Sequence, residues 1–165
     1  MLEKQIITEA EYRYIELGEG SPVVILHGLM GGLSNFEGVI NFFPNKGYKI
    51  LVPELPVYEL PLINSSVKSL ADFLDDFLNF KKLKDVILLG NSLGGHVALL
   101  YAKCHPDIVK GLIITGSSGL YENAMGDGYP KRGDYDYIKA KSEEVFYDPK
   151  VATKKIVDEV FESVN

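Results

Sequence analysis

The chain has 165 residues, 46% hydrophobic and 24% charged, with a formal net charge of −6. That length suits one domain with a buried core, and the negative charge argues against nucleic acid or an anionic membrane surface as a partner. A single cysteine excludes an internal disulfide, and no apolar run resembles a signal peptide or a membrane span, so we expect a cytoplasmic protein.

Three strands are predicted near the N-terminus. Residues 5–8 and 12–15 alternate between apolar and polar side chains, which predicts an antiparallel pair at one edge of a sheet. Residues 18–22 are rich in glycine and predict a turn. The apolar run 23–26 then predicts a buried strand.

The third strand ends in a glycine-rich loop, His27-Gly28-Leu29-Met30-Gly31-Gly32. Glycines let a backbone turn sharply and approach a ligand. Such a loop after an early strand supplies one donor of an oxyanion hole, and Leu29 N–H is the candidate. We interpret His27 as a residue that fixes this loop by hydrogen bonding, not as a catalytic base.

The middle of the chain alternates helix and strand. Residues 35–43 predict a helix that Pro44 and Gly47 close, and residues 48–52 predict a fourth strand. A longer helix follows, because apolar residues recur at helical spacing at Val67, Leu70, Ala71, Leu74 and Leu78.

The most informative stretch is residues 90–95, Gly-Asn-Ser-Leu-Gly-Gly, which directly follows an apolar strand pattern. A strand that enters Gly-x-Ser-x-Gly and leaves as a helix holds the serine at the apex of a tight, strained turn. Side chains at Gly90 and Gly94 would collide where strand and helix cross. The pattern predicts Ser92 as a nucleophile, with Leu93 N–H beside it as an oxyanion donor.

A helix over 93–104 and a sixth strand over 110–115 follow. Strands that alternate with helices predict βαβ units and a mainly parallel sheet. Cys104, at the end of the helix, is expected to be buried as a small apolar residue.

The remaining residues differ in character. Residues 121–137 are rich in tyrosine, glycine and aspartate and predict a loop, while 135–146 and 149–164 have helical patterns. Asp148-Pro149 is a start signal for the last helix, because proline is favoured at the first helical position.

Taken together, these motifs resemble the α/β-hydrolase superfamily over roughly residues 10–120. The resemblance lies in the loop 27–32, in Gly90 to His96, in His105-Pro106-Asp107, and in Pro53-Glu54-Leu55-Pro56, where the family usually has an Asp-rich turn. The spelling of the serine motif is similar to that of cap-bearing members, the carbon–carbon bond hydrolases and their esterase relatives.

The resemblance implies a three-layer α/β fold with a mainly parallel sheet that stops after the sixth strand. Residues 1–119 would form the N-terminal part of the core, and 120–165 the start of a helical cap. Tyrosines of that cap would line an apolar substrate pocket: Tyr121, Tyr129, Tyr135 and Tyr137.

The triad of this family follows the chain order serine, acid, histidine. The three histidines are His27, His96 and His105, and none follows position 105. His96 lies one helical turn beyond Ser92, and His105 ends the helix, where a positive charge complements the helix dipole. Residues 117–119, after the sixth strand, contain no acid. We therefore expect the acid and the histidine outside this chain.

The resemblance implies two-step hydrolysis of a carboxylic ester or related carbonyl substrate. Ser92 would attack the carbonyl carbon, Leu29 and Leu93 N–H would hold the oxyanion, and water would release the acyl group. No cofactor and no metal is expected, and the 165-residue chain alone is expected to be inactive. The partners implied are a small acyl substrate and, at the unpaired sixth strand, the remaining C-terminal part of the hydrolase or a second copy.

Three alternatives remain open at this point. The same frame serves a carbon–carbon bond hydrolase or a cofactor-independent oxygenase. It also serves a ligand-binding protein that needs neither histidine nor acid. The third alternative to a fragment is a complete, non-catalytic chain whose cap helices block the edge of its sheet.

Overall fold

A computed structural model describes residues 6–29, 34–57, 66–120, 131, 133–144 and 146–164. The predictions for Gly31, Gly32, Tyr121 and Tyr129 lie outside these residues. The chain divides into two compact units, Met1–Tyr121 and Glu122–Asn165. The role of the second unit as a cap stays a prediction.

The first unit is built on one six-stranded sheet. Its elements, in chain order, are β1 Ile7–Glu9, β2 Tyr12–Leu17, β3 Ser21–Leu26, α1 Glu37–Phe42, β4 Tyr48–Pro53, α2 Val67–Phe80, β5 Val86–Asn91, α3 Leu93–Cys104 and β6 Val109–Thr115. The strand order is β1-β2-β4-β3-β5-β6. The pairs β1–β2 and β2–β4 are antiparallel, and β3, β4, β5 and β6 pair in parallel. The predicted mainly parallel sheet is confirmed.

Helices cover both faces of this sheet, which gives the predicted three layers. Val24 and Leu26 of β3 pack on one face with residues of α2 and α3. Val23 and Ile25 pack on the other face with Ile40 of α1. This burial on both faces explains why β3 is continuously apolar and does not alternate.

The predicted helix over 93–104 matches α3 at both ends, whereas the predicted first helix differs from the observed one. α2 begins where expected, because Ser66 Oγ accepts a hydrogen bond from Ser69 N–H and caps it. The predicted helix 35–43 is shorter, with 3₁₀ turns at Ser34–Phe36 and Phe43–Lys46 around α1. Pro44 has no N–H to donate, so the α-helical hydrogen bonds stop before it.

Cys104 is exposed, so the expectation of a buried cysteine is wrong. Tyr101 is the last buried residue of α3, and the chain beyond it lies at the surface. The sequence placed Cys104 on the apolar side of α3, but it did not indicate where α3 leaves the core.

The second unit contains α4 Tyr135–Glu144 and α5 Lys154–Val164. The predicted start of the last helix at Pro149 is wrong by five residues. Asp148 Oδ1 accepts from Lys150 N–H and caps only a 3₁₀ turn, Pro149–Val151, before Ala152 leaves helical geometry at ψ 66°. In the described parts of the chain, no helix combines the length and apolarity needed to cross a membrane.

Candidate active site

Ser92 occupies the junction between β5 and α3. Its backbone lies at φ 53° and ψ −120°, in a region that residues with a side chain rarely adopt. Such a conformation costs about 1–3 kcal/mol and persists only where the surrounding structure enforces it. The predicted strained turn is therefore present, with the serine at its apex.

Backbone hydrogen bonds hold Ser92 on both sides. Its N–H donates to Thr115 O at 3.0 Å, and its carbonyl accepts from His96 N–H at 3.2 Å and from Ser118 N–H at 3.3 Å. The end of β6 and the turn after it thus contact the serine directly.

Close backbone approach explains the glycines of the motif. A Cβ on Gly90 would overlap Gly94 O, and a Cβ on Gly94 would overlap the carbonyl oxygen of Leu26 at the end of β3. Gly95 is a further tight position, since its Cβ would lie 2.7 Å from Ser117 Oγ. The crossing that the sequence predicted is observed, and the contact of Gly95 is additional to it.

The loop after β3 passes beside the serine. A Cβ on Gly28 would lie 3.3 Å from Ser92 Cβ, and Leu29, the next residue, is 41% exposed. Leu93 is the first residue of α3, where backbone N–H groups have no partner within the helix. The roles of Leu29 and Leu93 as oxyanion donors stay predictions.

His27 is buried and both of its ring nitrogens are used. Leu55 N–H donates to Nε2 at 2.9 Å, so Nδ1 carries the proton and donates to Gly28 O at 2.8 Å. The ring thereby joins the loop after β3 to the loop after β4. These bonds agree with the interpretation of His27 as a loop-fixing residue.

The rings of the other two histidines contact Gly119 and Tyr101. The ring of His96 lies against Gly119, where a Cβ would be 2.6 Å from ring carbons. The ring of His105 stacks on Tyr101 at 4.3 Å, and its Nδ1 lies 3.9 Å from Asp75 Oδ1. Among the described residues, none of the three histidine rings hydrogen-bonds the Ser92 hydroxyl.

Two further segments considered in the sequence analysis, around Glu54 and after β6, make structural contacts. The side chain of Glu54 pairs with Arg13 at 3.1 Å, and its N–H donates to Arg13 O, so this acid joins β4 to β2. After β6, Ser117 Oγ donates to Ser118 O at 2.8 Å. These residues contain no acid, and Ser117 lies close to Gly95 of the serine motif.

Asn91 and Thr115 are site residues that the sequence did not reveal. Asn91 Nδ2 donates to Thr115 O and to Thr115 Oγ1, both at 3.0 Å. They meet because β5 and β6 are paired in register at this end. The register of two separate strands leaves no local signal, so only the fold brings the two residues together.

Comparison with known proteins assigns the chain to a family. The sequence profile of the alpha/beta hydrolase fold matches residues 21–142, which is most of the chain. The chain belongs to this family. The predicted superfamily is confirmed, and the alpha/beta hydrolase fold agrees with the strand order and the serine turn described above.

Three relatives illustrate the family. An alpha/beta hydrolase enzyme, MGS-MChE2, from the metagenome of sediments of the Mar Chica lagoon in Morocco is 46% identical, with a TM-score of 0.69; the match covers 96% of this chain and 67% of that chain. A probable alcohol acetyltransferase of Cyberlindnera fabianii is 31% identical over 64% of this chain and 30% of its own length. A 2-hydroxy-6-oxo-6-phenylhexa-2,4-dienoate hydrolase of Comamonas testosteroni is 32% identical over 65% of this chain and 40% of its own. The chain thus spans less than half the length of these two curated relatives.

Proposed function

We propose that this alpha/beta hydrolase is a serine hydrolase that cleaves a carboxylic ester or related carbonyl substrate through an acyl-enzyme on Ser92. The observation that carries the proposal is the strained backbone of Ser92, at φ 53°, held at the junction of β5 and α3. A strained serine fixed by neighbouring strands is what an exposed, preorganised nucleophile requires.

In this mechanism Ser92 Oγ attacks the carbonyl carbon while its proton passes to a histidine. The N–H groups of Leu29 and Leu93 hold the negative oxygen of the tetrahedral intermediate, each contributing about 3 kcal/mol to the transition state. Collapse of the intermediate expels the alcohol, which takes the proton from the histidine. Water, activated by the same histidine, then releases the acid and frees Ser92.

The base and the acid of this mechanism are proposed to lie outside the 165 residues. His27, His96 and His105 have the contacts described above, at 2.8 Å to Gly28 O, against Gly119 and on the Tyr101 ring. A serine without a base is a weak nucleophile at neutral pH. The 165-residue chain alone is accordingly expected to hydrolyse no ester at a measurable rate.

The experiment that tests this proposal supplies the base and the acid from a related hydrolase. The chain is fused at Asn165 to the portion of MGS-MChE2 that follows its matched region, since the match covers 67% of that protein. We expect this fusion to hydrolyse p-nitrophenyl acetate, and a fusion with Ser92→Ala to be inactive. The Ser69→Ala fusion is the matched control, because Ser69 lies in the first turn of α2 and is expected to retain full activity. A fusion that is folded by circular dichroism but inactive on short and long esters would contradict the proposal.

A second candidate is a carbon–carbon bond hydrolase. It is favoured by the 32% identical relative from Comamonas testosteroni, whose name is that of a 2-hydroxy-6-oxo-6-phenylhexa-2,4-dienoate hydrolase. Decay of that dienoate by the same fusion, with no reaction towards simple esters, would support this alternative. Ligand binding that survives Ser92→Ala, without any reaction at Ser92, would instead support a non-catalytic binding protein.

The cap and the partner at the edge of β6 are also proposed from the family resemblance. The unit that contains α4 and α5 is proposed as the start of the cap. Within it, Tyr135 OH donates to Asp158 Oδ1 at 2.6 Å and its ring packs on Phe161, so this tyrosine joins the two helices. The exposed edge of β6 is proposed to receive the remaining part of the hydrolase or a second copy. A cytoplasmic location is also proposed.

A further inference from the structure

Several hydrogen bonds converge on Thr115, the last residue of β6. Its carbonyl oxygen accepts from Ser92 N–H and from Asn91 Nδ2, both at 3.0 Å. A carbonyl oxygen has two lone pairs, so these donors use its full accepting capacity. The same Asn91 nitrogen also reaches Thr115 Oγ1 at 3.0 Å.

The turn after Thr115 holds the other side of the serine. Gly116 reverses the chain at φ 49°, and Ser118 N–H then donates to Ser92 O at 3.3 Å. The peptide groups before and after Ser92 are therefore bonded to one short segment, residues 115–118. The Ser92 peptide groups are thus held by this segment as well as by α3, whose His96 N–H donates to the Ser92 carbonyl at 3.2 Å.

Within the described residues, β6 is the last strand of the sheet and pairs with β5, and Thr115 is exposed. The segment beyond Thr115 also lies against α3, since a Cβ on Gly95 would be 2.7 Å from Ser117 Oγ. A strained conformation such as that of Ser92 needs neighbours that are themselves fixed. The Asn91 side chain supplies a cross-strand bond at the point where β6 ends.

We propose that Asn91 is a positioning residue for the nucleophile, acting through Thr115. Its amide fixes the carboxyl end of β6 against β5, and the fixed Thr115 carbonyl in turn holds the Ser92 peptide in its strained geometry. The inference rests on the proposed function of Ser92. The hydrogen bonds among Asn91, Thr115 and Ser92 are observed independently of that function.

The first test follows the backbone in the 165-residue chain by amide hydrogen exchange with NMR. Asn91→Ala is expected to speed exchange of the Ser92 amide about five- to tenfold, the effect of losing one or two ordinary hydrogen bonds. Thr115→Val, which removes only Oγ1, is expected to have a smaller effect, and Thr115→Ser none. The Leu70 amide, bonded to Ser66 O in α2, is the internal control that should not change.

The second test measures chemistry in the MGS-MChE2 fusion described above. Asn91→Ala is expected to lower kcat about tenfold with KM unchanged, because a displaced nucleophile slows the chemical step without weakening substrate binding. The double variant Asn91→Ala/Thr115→Val is expected to lower kcat no further than Asn91→Ala alone, because both substitutions remove parts of one contact.

The outcomes separate this inference from the proposed function. Faster Ser92 exchange in Asn91→Ala together with a lower kcat supports both. Faster Ser92 exchange in the Asn91→Ala chain, combined with a fusion that is inactive even with Asn91 present, supports the positioning role and overturns the proposed function. Unchanged Ser92 exchange overturns the inference. If KM alone rises, Asn91 contacts the substrate directly and the inference is equally overturned.

Discussion

At the scale of single residues, the site depends on backbone contacts more than on side-chain packing. Gly90 and Gly94 are required because carbonyl oxygens occupy the space of their side chains. Local sequence was enough to predict this crossing, since strand, turn and helix are adjacent in the chain. The roles of Asn91 and Thr115 were not predictable, since 24 residues separate them and only sheet register joins them.

Relief of strain at Ser92 gives the first prediction. Glycine adopts φ 53° without the steric cost that alanine retains, although it loses more backbone entropy on folding. Ser92→Gly is therefore expected to be about 1 kcal/mol more stable than Ser92→Ala. Urea unfolding of the two variants measures this difference, and equal stabilities would show that the Ser92 backbone is not strained.

Two glycines in helices make a matched pair for the second prediction. Gly94→Ala would place a methyl group 2.6 Å from His27 O and is expected to cost about 3 kcal/mol of unfolding free energy. Among the described residues, nothing beyond the neighbouring residues and backbone of α1 lies within 4 Å of a Cβ on Gly38. Gly38→Ala is expected to stabilise the chain by about 0.5–1 kcal/mol. Thermal unfolding of both variants tests the pair, and similar midpoints would contradict the close crossing.

At the scale of elements, an ionic cluster joins β2, β4 and α2 on the antiparallel side of the sheet. Glu16 accepts from Lys49 at 2.6 Å and from Lys81 at 2.8 Å, and Lys81 also bonds Tyr14 OH at 2.9 Å. Burial acts to raise the pKa of Glu16, but the hydrogen bonds from the two lysines outweigh it and hold that pKa below its ordinary value.

The lowered pKa of Glu16 predicts acid sensitivity. A carboxyl whose pKa is lower in the folded state stabilises the fold above its unfolded pKa, about 4.3. That stabilisation is lost as the pH falls through the folded pKa. Glu16→Gln is expected to cost about 1–3 kcal/mol at pH 7 and to reduce the loss of stability below pH 4. Urea unfolding at several pH values measures both effects.

An exposed ion pair provides the control for this prediction. Lys68 and Asp72 in α2 lie 2.8 Å apart, with side chains 77% and 63% exposed. Solvent screens such pairs, so Asp72→Asn is expected to change stability by less than about 0.5 kcal/mol. If Asp72→Asn destabilises as much as Glu16→Gln, the partial burial of the Glu16 cluster does not explain its effect.

At the scale of the whole molecule, the parallel pairing followed from the alternation of strand and helix patterns, and the three layers followed from the family resemblance. The bounds of α3 agreed with the sequence, but the start of the last helix and the point where α3 leaves the core did not, since Asp148-Pro149 initiates only a 3₁₀ turn and Cys104 is exposed. Those limits depend on contacts that local sequence does not specify.

The edge of β6 gives a prediction about assembly. Leu112 and Ile113, on opposite faces of this strand, are 37% and 50% exposed. An apolar edge promotes pairing with another chain, and lysine at such an edge opposes it. The 165-residue chain is expected to self-associate as its concentration rises, and Ile113→Lys to lower the association constant at least tenfold. Analytical ultracentrifugation measures both, and a monomer at every concentration would argue against a second copy at this edge.

The central claim, that Ser92 is the nucleophile of a site completed from outside these 165 residues, is tested most directly by covalent modification. The MGS-MChE2 fusion and the 165-residue chain are each treated with a fluorophosphonate, and the modified residue is located by mass spectrometry. The account predicts stoichiometric phosphonylation of Ser92 in the fusion, none in the chain alone, and none in the Ser92→Ala fusion. A folded fusion that stays unmodified, or that is modified at another serine, would contradict it.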